Sequence, residues 1–232
     1  MQIIKKLLFL FKSNAPINIF CIFLLSKVLN FFKKREIKFR KKAHKEYLKK
    51  KTISEDYFSS HAYNFYEVLK KYNNLKYLEI GSFEGNSAIF VAKNFKNCSI
   101  YCVDNWVGTE EYTDVNFLSV EKKFDDNVKE FQNIKKFKTN SDNFFEYNNL
   151  FYDVIYVDGH HKGFQVYKDI RNAFNYLSLN GTLILDDYLW KFYEDIKDNP
   201  CFVINCFLRK IRKKIKILKV SNSQLFLKKV KV

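Results

Sequence analysis

Two prolines and six glycines in 232 residues are too few for a fibrous chain or a Pro/Gly-rich disordered one. Hydrophobic residues make up 47% of the chain, enough for one domain of substantial core plus an appendage. The five cysteines, Cys21, Cys98, Cys102, Cys201 and Cys206, are odd in number and form no Cys-x-x-Cys pair. They read as buried, reduced thiols of a cytosolic protein rather than a disulfide framework. Long hydrophobic runs are also missing: the longest, Ile19 to Leu25, is far short of the about 20 residues that a spanning helix needs. No small-residue cleavage site follows that run, which argues against a secretory leader.

Acidic residues are scarce at both ends. Residues 1–52 hold 15 Lys/Arg against 2 Asp/Glu, and residues 201–232 hold 10 against none. Residues 53–200 hold 16 against 23, so the net charge of +16 is carried by the two ends around an acidic body. A nucleic-acid enzyme usually surrounds its active site with positive charge, which makes nucleic acid the weaker partner reading here.

The chain is organised around Tyr77-Leu78-Glu79-Ile80-Gly81-Ser82-Phe83-Glu84-Gly85-Asn86-Ser87-Ala88. Strand-compatible residues precede Gly81, and Ala88 to Ala92 have helical spacing, so the glycines sit at a strand-to-helix turn. Glycine lets the backbone turn sharply and a ligand approach closely, and the following helix offers free N–H groups. The pattern is Glu-x-Gly-x-x-x-Gly, neither the dinucleotide fingerprint nor a phosphate loop. A carboxylate at Glu79 suits an amino group or a cationic ligand and repels phosphate.

Before this turn, Ser26, Lys27, Asn30, Lys33 and Lys34 fall on one side of a helical wheel, with Phe, Leu and Val opposite. A basic run follows from Lys33 through Lys51. It reads as a solvated helix face, as a contact with anionic lipid at the inner face of a membrane, or as an arm on nucleic acid; the apolar neighbour favours lipid. Ser59-Ser60 are expected to cap a helix carrying Phe65, Val68, Leu69 and Tyr72. Strands are expected at 76–81, 99–104, 135–139, 152–157 and 181–185, with helices between them, at 115–131 and at 200–213. A hairpin of 216–220 and 224–231 ends the chain. Strands alternating with helices mean a parallel sheet buried on both faces, with ligands at the strand C-terminal ends. Glu79, Asp104, Asp158 and Asp186 all fall there.

Asp104 closes the second strand about 20 residues past the glycine turn, where a carboxylate suits two ribose hydroxyls or caps a turn. Asn105 to Glu111 form a loop beside the ligand, and Asn140-Ser141-Asp142 contact an adenine edge or cap the next helix. Asp158, Asp186 and Asp187 are three carboxylates on adjacent strand ends, whose mutual repulsion a divalent cation would relieve. All-oxygen ligands favour Mg²⁺, Mn²⁺ or Ca²⁺. The alternative is that the Asp-Asp pair caps a turn and Asp158 binds another group. His161, three residues after Asp158, could accept a proton from a hydroxyl nucleophile, with His160 as its competitor.

Leu78 to Gly85, Cys102 to Trp106, Ile155 to His161 with Val166 and Asp169, and Gly181 to Trp190 together resemble the class I S-adenosylmethionine (SAM) dependent methyltransferases. The resemblance is to their metal-dependent group that modifies sugar or natural-product hydroxyls. It covers residues from about 57 to 230 and leaves out 1–50; the chain divides accordingly into an N-terminal helical extension, 1–52, and a methyltransferase domain, 53–232. It implies a Rossmann-like α/β sheet of seven strands, mostly parallel, with an antiparallel C-terminal hairpin. It assigns Glu79, Gly81, Ser82 and Gly85 to the methionine part of SAM and Asp104 and Asn105 to the ribose; Asn86 beside the glycine turn and Ser141, by position, are counted with the cofactor-binding residues. Asp158, Asp186 and Asp187 would hold Mg²⁺ and His161 would be the base. Leu179-Asn180-Gly181 replaces the group's Pro-Gly-Gly, a departure confined to a turn. The expected activity is O-methylation of a sugar hydroxyl in an envelope glycan or glycolipid, by a cytoplasmic protein held peripherally at the membrane.

Overall fold

The computed structural model describes residues 2–108 and 115–231. Its helices are α1 (Gln2–Lys12), α2 (Ile17–Phe32), α3 (Lys34–Leu48), α4 (Ala62–Leu69), α5 (Asn86–Asn94), α6 (Phe117–Val128), α7 (Ser141–Tyr147), α8 (Gly163–Tyr176) and α9 (Pro200–Ile211). Its strands are β1 (Leu75–Ile80), β2 (Cys98–Asp104), β3 (Ile134–Lys138), β4 (Tyr152–Val157), β5 (Leu177–Leu185), β6 (Ile215–Val220) and β7 (Leu225–Lys229). They make one seven-stranded sheet in the order β3-β2-β1-β4-β5-β7-β6. The pairs β1–β2, β2–β3 and β4–β5 are parallel, and β7 runs antiparallel to both β5 and β6. This is the Rossmann-like sheet with a reversed terminal hairpin that the sequence implies.

The chain packs as two compact units, one of residues 32–149 and one of residues 1–31 with 150–232. In the first, Leu75, Tyr77, Leu78 and Ile80 of β1 are buried, as is nearly all of α5 from Ser87 to Ala92. A strand covered on both faces reads as a nearly continuous apolar run, interrupted here only by exposed Lys76 and the buried Glu79. Asn140 caps α7, its side chain accepting from the Asn143 amide at 2.8 Å, so the capping alternative for this segment is realised. Asn116 likewise caps α6, which is why that helix begins at Phe117 rather than at 115. Ser59 and Ser60 do not cap α4: the helix starts after His61 with no side-chain cap, and the Ser59 amide donates to Asp56 Oδ1 at 2.8 Å. α3 packs in this unit through His44 and Leu48, both buried.

In the second unit β4 is buried along almost its whole length, and α8 turns Val166, Ile170, Ala173 and Phe174 inward. β5 begins at Leu177, four residues before the expected start. Its pairing with β4 shifts between Tyr152 and Val154, and Asn180 sits there at φ +66°. Gly181 is required at this bulge, because a Cβ would come within 2.9 Å of the Ser178 and Asp153 carbonyl oxygens.

α1 and α2 belong to this unit and are oriented by their polar residues. Asn205 of α9 donates to the Ser13 carbonyl at 3.0 Å, and Arg209 donates to the Asn14 carbonyl. Lys27 donates to Asn222, and Lys219 donates to Asn30 at 3.0 Å. Lys27 and Asn30 of α2 thus turn toward the terminal hairpin together with the buried Ile19, Phe23 and Ser26, while Leu24, Leu25, Val28 and Leu29 face out. No helix among the described residues is long and apolar enough to cross a membrane.

Candidate active site

Glu79, the penultimate residue of β1, is fully buried. Its Oε2 accepts from Ser87 Oγ at 2.6 Å and from Tyr77 Oη at 3.0 Å. Tyr77 stands two residues earlier on the same strand and so on the same face. Oε1 of Glu79 has no hydrogen-bond partner. Burial pushes this carboxyl up to about 7, with the hydroxyl donors opposing the shift. An orphaned carboxylate oxygen in so dry a place is costly unless a ligand donates to it, and a cationic ligand is the one best suited to do so.

The turn beyond Glu79 is held from below. Gly81 and Gly85 have φ of +86° and +84°, and a Cβ on Gly85 would lie 3.1 Å from Phe124 and Val128. Asp104, at the end of β2, accepts the Ser82 and Phe83 amides at 2.9 Å through Oδ2 and the Trp106 amide at 2.8 Å through Oδ1. Trp106 returns the contact by donating from Nε1 to the Phe83 carbonyl at 2.9 Å. Asp104 thus closes its own turn and clamps the glycine turn at once. Asn105 accepts the Val107 amide at 2.9 Å, while Thr109, Glu110 and Glu111 of the same loop lie outside the described residues. Asn86 opens α5, but its side chain is engaged by His44 at 2.7 Å and Asp56 at 3.3 Å, leaving its backbone as the part that offers an N–H. Ser141 is the first residue of α7.

One residue of the turn was named in the sequence reading but given no role. Glu84 is buried and accepts from the Ser54 amide at 2.6 Å, Ser54 Oγ at 2.7 Å and Lys123 Nζ at 3.0 Å. Asn127 donates to the Glu84 carbonyl at 3.0 Å and to the Thr52 carbonyl at 3.1 Å. Residues 52–54 are thereby tied to the glycine turn. Nothing in the spacing of Ser54, Glu84 and Lys123 could have announced it.

The second group of chemical side chains belongs to the other unit. Ligating atoms of Asp158, His161 and Asp187 all lie within 4.8 Å of one another. His161 Nε2 stands 2.9 Å from Asp187 Oδ2, and the His161 ring packs on Trp190 with centroids 5.0 Å apart. His160 is spent differently, its Nδ1 accepting the Lys162 amide at 3.0 Å. Asp187 adopts φ +50°, a left-handed conformation that Asp tolerates better than most residues and that aims its carboxylate.

Asp186 serves a different purpose from its neighbour. Its Oδ1 accepts the Asp187 amide at 2.8 Å, and its Oδ2 accepts from Gln224 at 2.7 Å and from the Tyr156 hydroxyl. Tyr156 also reaches Asp158 Oδ2 at 2.7 Å, so one phenol braces both strand ends. Burial raises the Asp158 carboxyl well above the usual range, and the charges of Asp186 and Asp187 raise it further. The carboxylates of Asp158 and Asp187 at this spacing, with Asp186 behind them and the His161 imidazole beside them, fit a hard divalent cation, which would reverse that upward push. Tyr156-x-Asp158 repeats the Tyr77-x-Glu79 spacing on a neighbouring strand, and strand periodicity alone could have found it. Gln224 comes from the terminal hairpin and left no such signal.

The strand order β3-β2-β1-β4-β5-β7-β6 with its reversed β7 is the fold of the class I SAM-dependent methyltransferases. A family model described as a methyltransferase domain matches residues 78–188, the span from β1 to just past β5. Over 152 residues the chain is 28% identical to an uncharacterized protein of Acanthamoeba polyphaga mimivirus, covering 61% of this chain and 67% of the viral one. Among solved structures, one assigned as a caffeoyl-CoA O-methyltransferase from Staphylococcus aureus superposes with a TM-score of 0.58 at 15% identity, covering 89% of this chain and 99% of that one. An assigned O-methyltransferase from Klebsiella pneumoniae gives 0.57 at 12%, covering 91% and 98%. MycE, a methyltransferase of the mycinamycin biosynthetic pathway, gives 0.55 at 14%, covering 76% of this chain and 51% of that one.

Proposed function

We propose that this methyltransferase transfers the methyl group of SAM to a hydroxyl oxygen, with a divalent cation held by Asp158 and Asp187, and that the hydroxyl belongs to a sugar of an envelope glycan or glycolipid. The observation that carries the reading is the convergence of Asp158, His161 and Asp187 within 4.8 Å. Support for the cation also comes from the MycE complex, whose crystals contain Mg, S-adenosylhomocysteine and mycinamycin VI.

SAM, when bound, supplies an electrophilic methyl on a sulfonium, leaving as the neutral thioether. Glu79 offers its orphaned oxygen to a cationic part of that ligand, and the first turn of α5, opening just past the glycine turn, offers free amide N–H groups. Asp104 can accept from ribose hydroxyls with the lone pairs its amide contacts leave over. A divalent cation, when bound, would lower the pKa of a coordinated hydroxyl. His161 would accept the acceptor hydroxyl's proton onto its imidazole, and Asp187 beside Nε2 would stabilise the imidazolium. Tyr156 and Asp186 hold Asp158 and Asp187 in place.

The experiment is transfer of labelled methyl from SAM to envelope glycolipid and polysaccharide extracts, with RNA as a parallel acceptor and with chelator added or not. Label in the glycan fraction that disappears with chelator and returns with Mg²⁺ is the expected result. Label in RNA, or transfer indifferent to chelator and to Asp187→Asn, overturns the acceptor or the metal assignment respectively.

A further inference from the structure

A water-soluble helix on a protein surface ordinarily turns its apolar stripe inward and its polar side to solvent. α2 is apolar on both sides, inward and outward. Its inward side holds Ile19 and Phe23 but also the buried Ser26, and Lys27 and Asn30 are bonded to Asn222 and Lys219 of the terminal hairpin. Its outward side carries Ile17 at 81% exposure and Leu24, Leu25, Val28 and Leu29 at 46–55%. These positions recur at helical spacing, so they form one stripe rather than scattered residues. α1 has a matching stripe of Ile4, Leu8 and Phe11, exposed by 63%, 55% and 74%. Apolar patches of this continuity on a soluble surface mark an interaction site.

The surrounding charge identifies the occupant. Residues 1–31 contain no Asp or Glu, and neither do residues 201–231 of the same compact unit. Lys5 and Lys12 lie on α1 beside its apolar stripe, both exposed. Arg209 reaches the Asn14 carbonyl at the corner between α1 and α2, and its helix end continues into exposed Arg212, Lys213 and Lys214. A second copy of the chain placed face to face would set lysine against lysine, an arrangement that repels. An anionic surface offers opposite charge and an apolar interior just beneath it. No helix among the described residues can span that interior, so the contact must lie in the plane of the surface.

We infer that the outward faces of α1 and α2 form a monotopic binding surface for an anionic phospholipid bilayer, with Ile4, Leu8, Phe11, Leu25, Val28 and Leu29 entering the acyl boundary and Lys5, Lys12 and the exposed Arg212, Lys213 and Lys214 just past α9 on the headgroups. The inference stands on these helices alone and does not depend on the methyl acceptor.

The test is co-sedimentation of the full-length protein, without SAM or acceptor, with vesicles of phosphatidylcholine alone or of equal parts phosphatidylcholine and phosphatidylglycerol. The expected result is binding to the anionic vesicles that weakens with salt. Leu25→Ser/Val28→Ser/Leu29→Ser should lose at least about tenfold in partitioning, since each apolar side chain contributes to the burial. Its far-UV circular dichroism and melting should match wild type, because all three positions are exposed. A second variant, Arg212→Glu/Lys213→Glu, leaves the apolar faces intact and should lose the preference for anionic over neutral vesicles. Wild-type protein that stays in the supernatant with both vesicles overturns the inference, as does binding unchanged in the Ser variant. A dimer that the Ser variant dissolves, without vesicle binding, assigns the face to a second copy and overturns it too.

Discussion

Glu79 should make the affinity of this protein for SAM depend on pH between about 5.5 and 7.5. Its carboxyl is raised from an ordinary value of 4.5 to about 7 by burial. A raised acid is protonated more readily in the folded chain than in the unfolded one. The stability this confers is complete below pH 4.5 and is lost as pH climbs to about 7, amounting to about 3 kcal/mol for a shift of this size. A cationic ligand donating to the free Oε1 reverses the balance, because it binds the ionised form. Apparent affinity should then follow the ionised fraction, tightening by about 25-fold from pH 5.5 to pH 7.5, about 2 kcal/mol, and flattening above. Isothermal titration with SAM across that range, in buffers of different ionisation heat, would report both the slope and the proton released on binding. Glu79→Gln keeps the shape and removes the titration, so its affinity should be uniformly weak and level with pH. A wild-type profile that is level, or a Gln variant with the same slope, would refute the placing of a cation at this oxygen.

Four further outcomes follow from the same contacts. Tyr156→Phe removes the phenol shared by Asp158 and Asp186, and should lower divalent-cation affinity about 10-fold or more in a titration with Mn²⁺, with the fold retained. Glu84→Ala severs residues 52–54 from the glycine turn and should cost about 2–3 kcal/mol in urea denaturation, since two hydrogen bonds from Ser54 and one ion pair disappear together. Gly85→Ala places a Cβ at positive φ and within 3.1 Å of Phe124 and Val128, and should destabilise by about 1–2 kcal/mol and weaken SAM binding measured in the same titration. Chelation should abolish methyl transfer while leaving SAM affinity within about twofold, because Glu79 and Asp104 ask for no metal.

Much of the site was legible before any coordinates. Glu79, Gly81 and Gly85 announce themselves because a strand run, a carboxylate, two glycines and a helical run are all local features, and backbone sterics act over a few residues. Asp104 and Asp158 were equally visible as carboxylates closing apolar strands. The limits that moved to 117 and 177 moved because a cap and a bulge decided them. Both depend on single contacts that periodicity does not encode.

Other roles required the folded chain. Asp186 and Asp187 are adjacent carboxylates in the sequence, yet one is filled by Tyr156, Gln224 and a backbone amide while the other faces His161. His160 and His161 are likewise separated only by which way the turn presents them. Asn86, expected at the ligand, has its side chain drawn to His44 of a helix 42 residues earlier. The two-sidedness of residues 17–32 was plain from their spacing, but which side would face out was not. A helical wheel ranks positions by polarity, whereas Lys27 and Asn30 are turned inward by partners nearly 200 residues away. Local sequence determined the elements, the glycine turn and the carboxylates that end the strands, because those follow from steric and periodic rules within a few residues. Tertiary structure alone decided which of those carboxylates stay available and which face of the N-terminal helices meets the surroundings, because hydrogen bonds between distant segments outweigh what either segment prefers by itself.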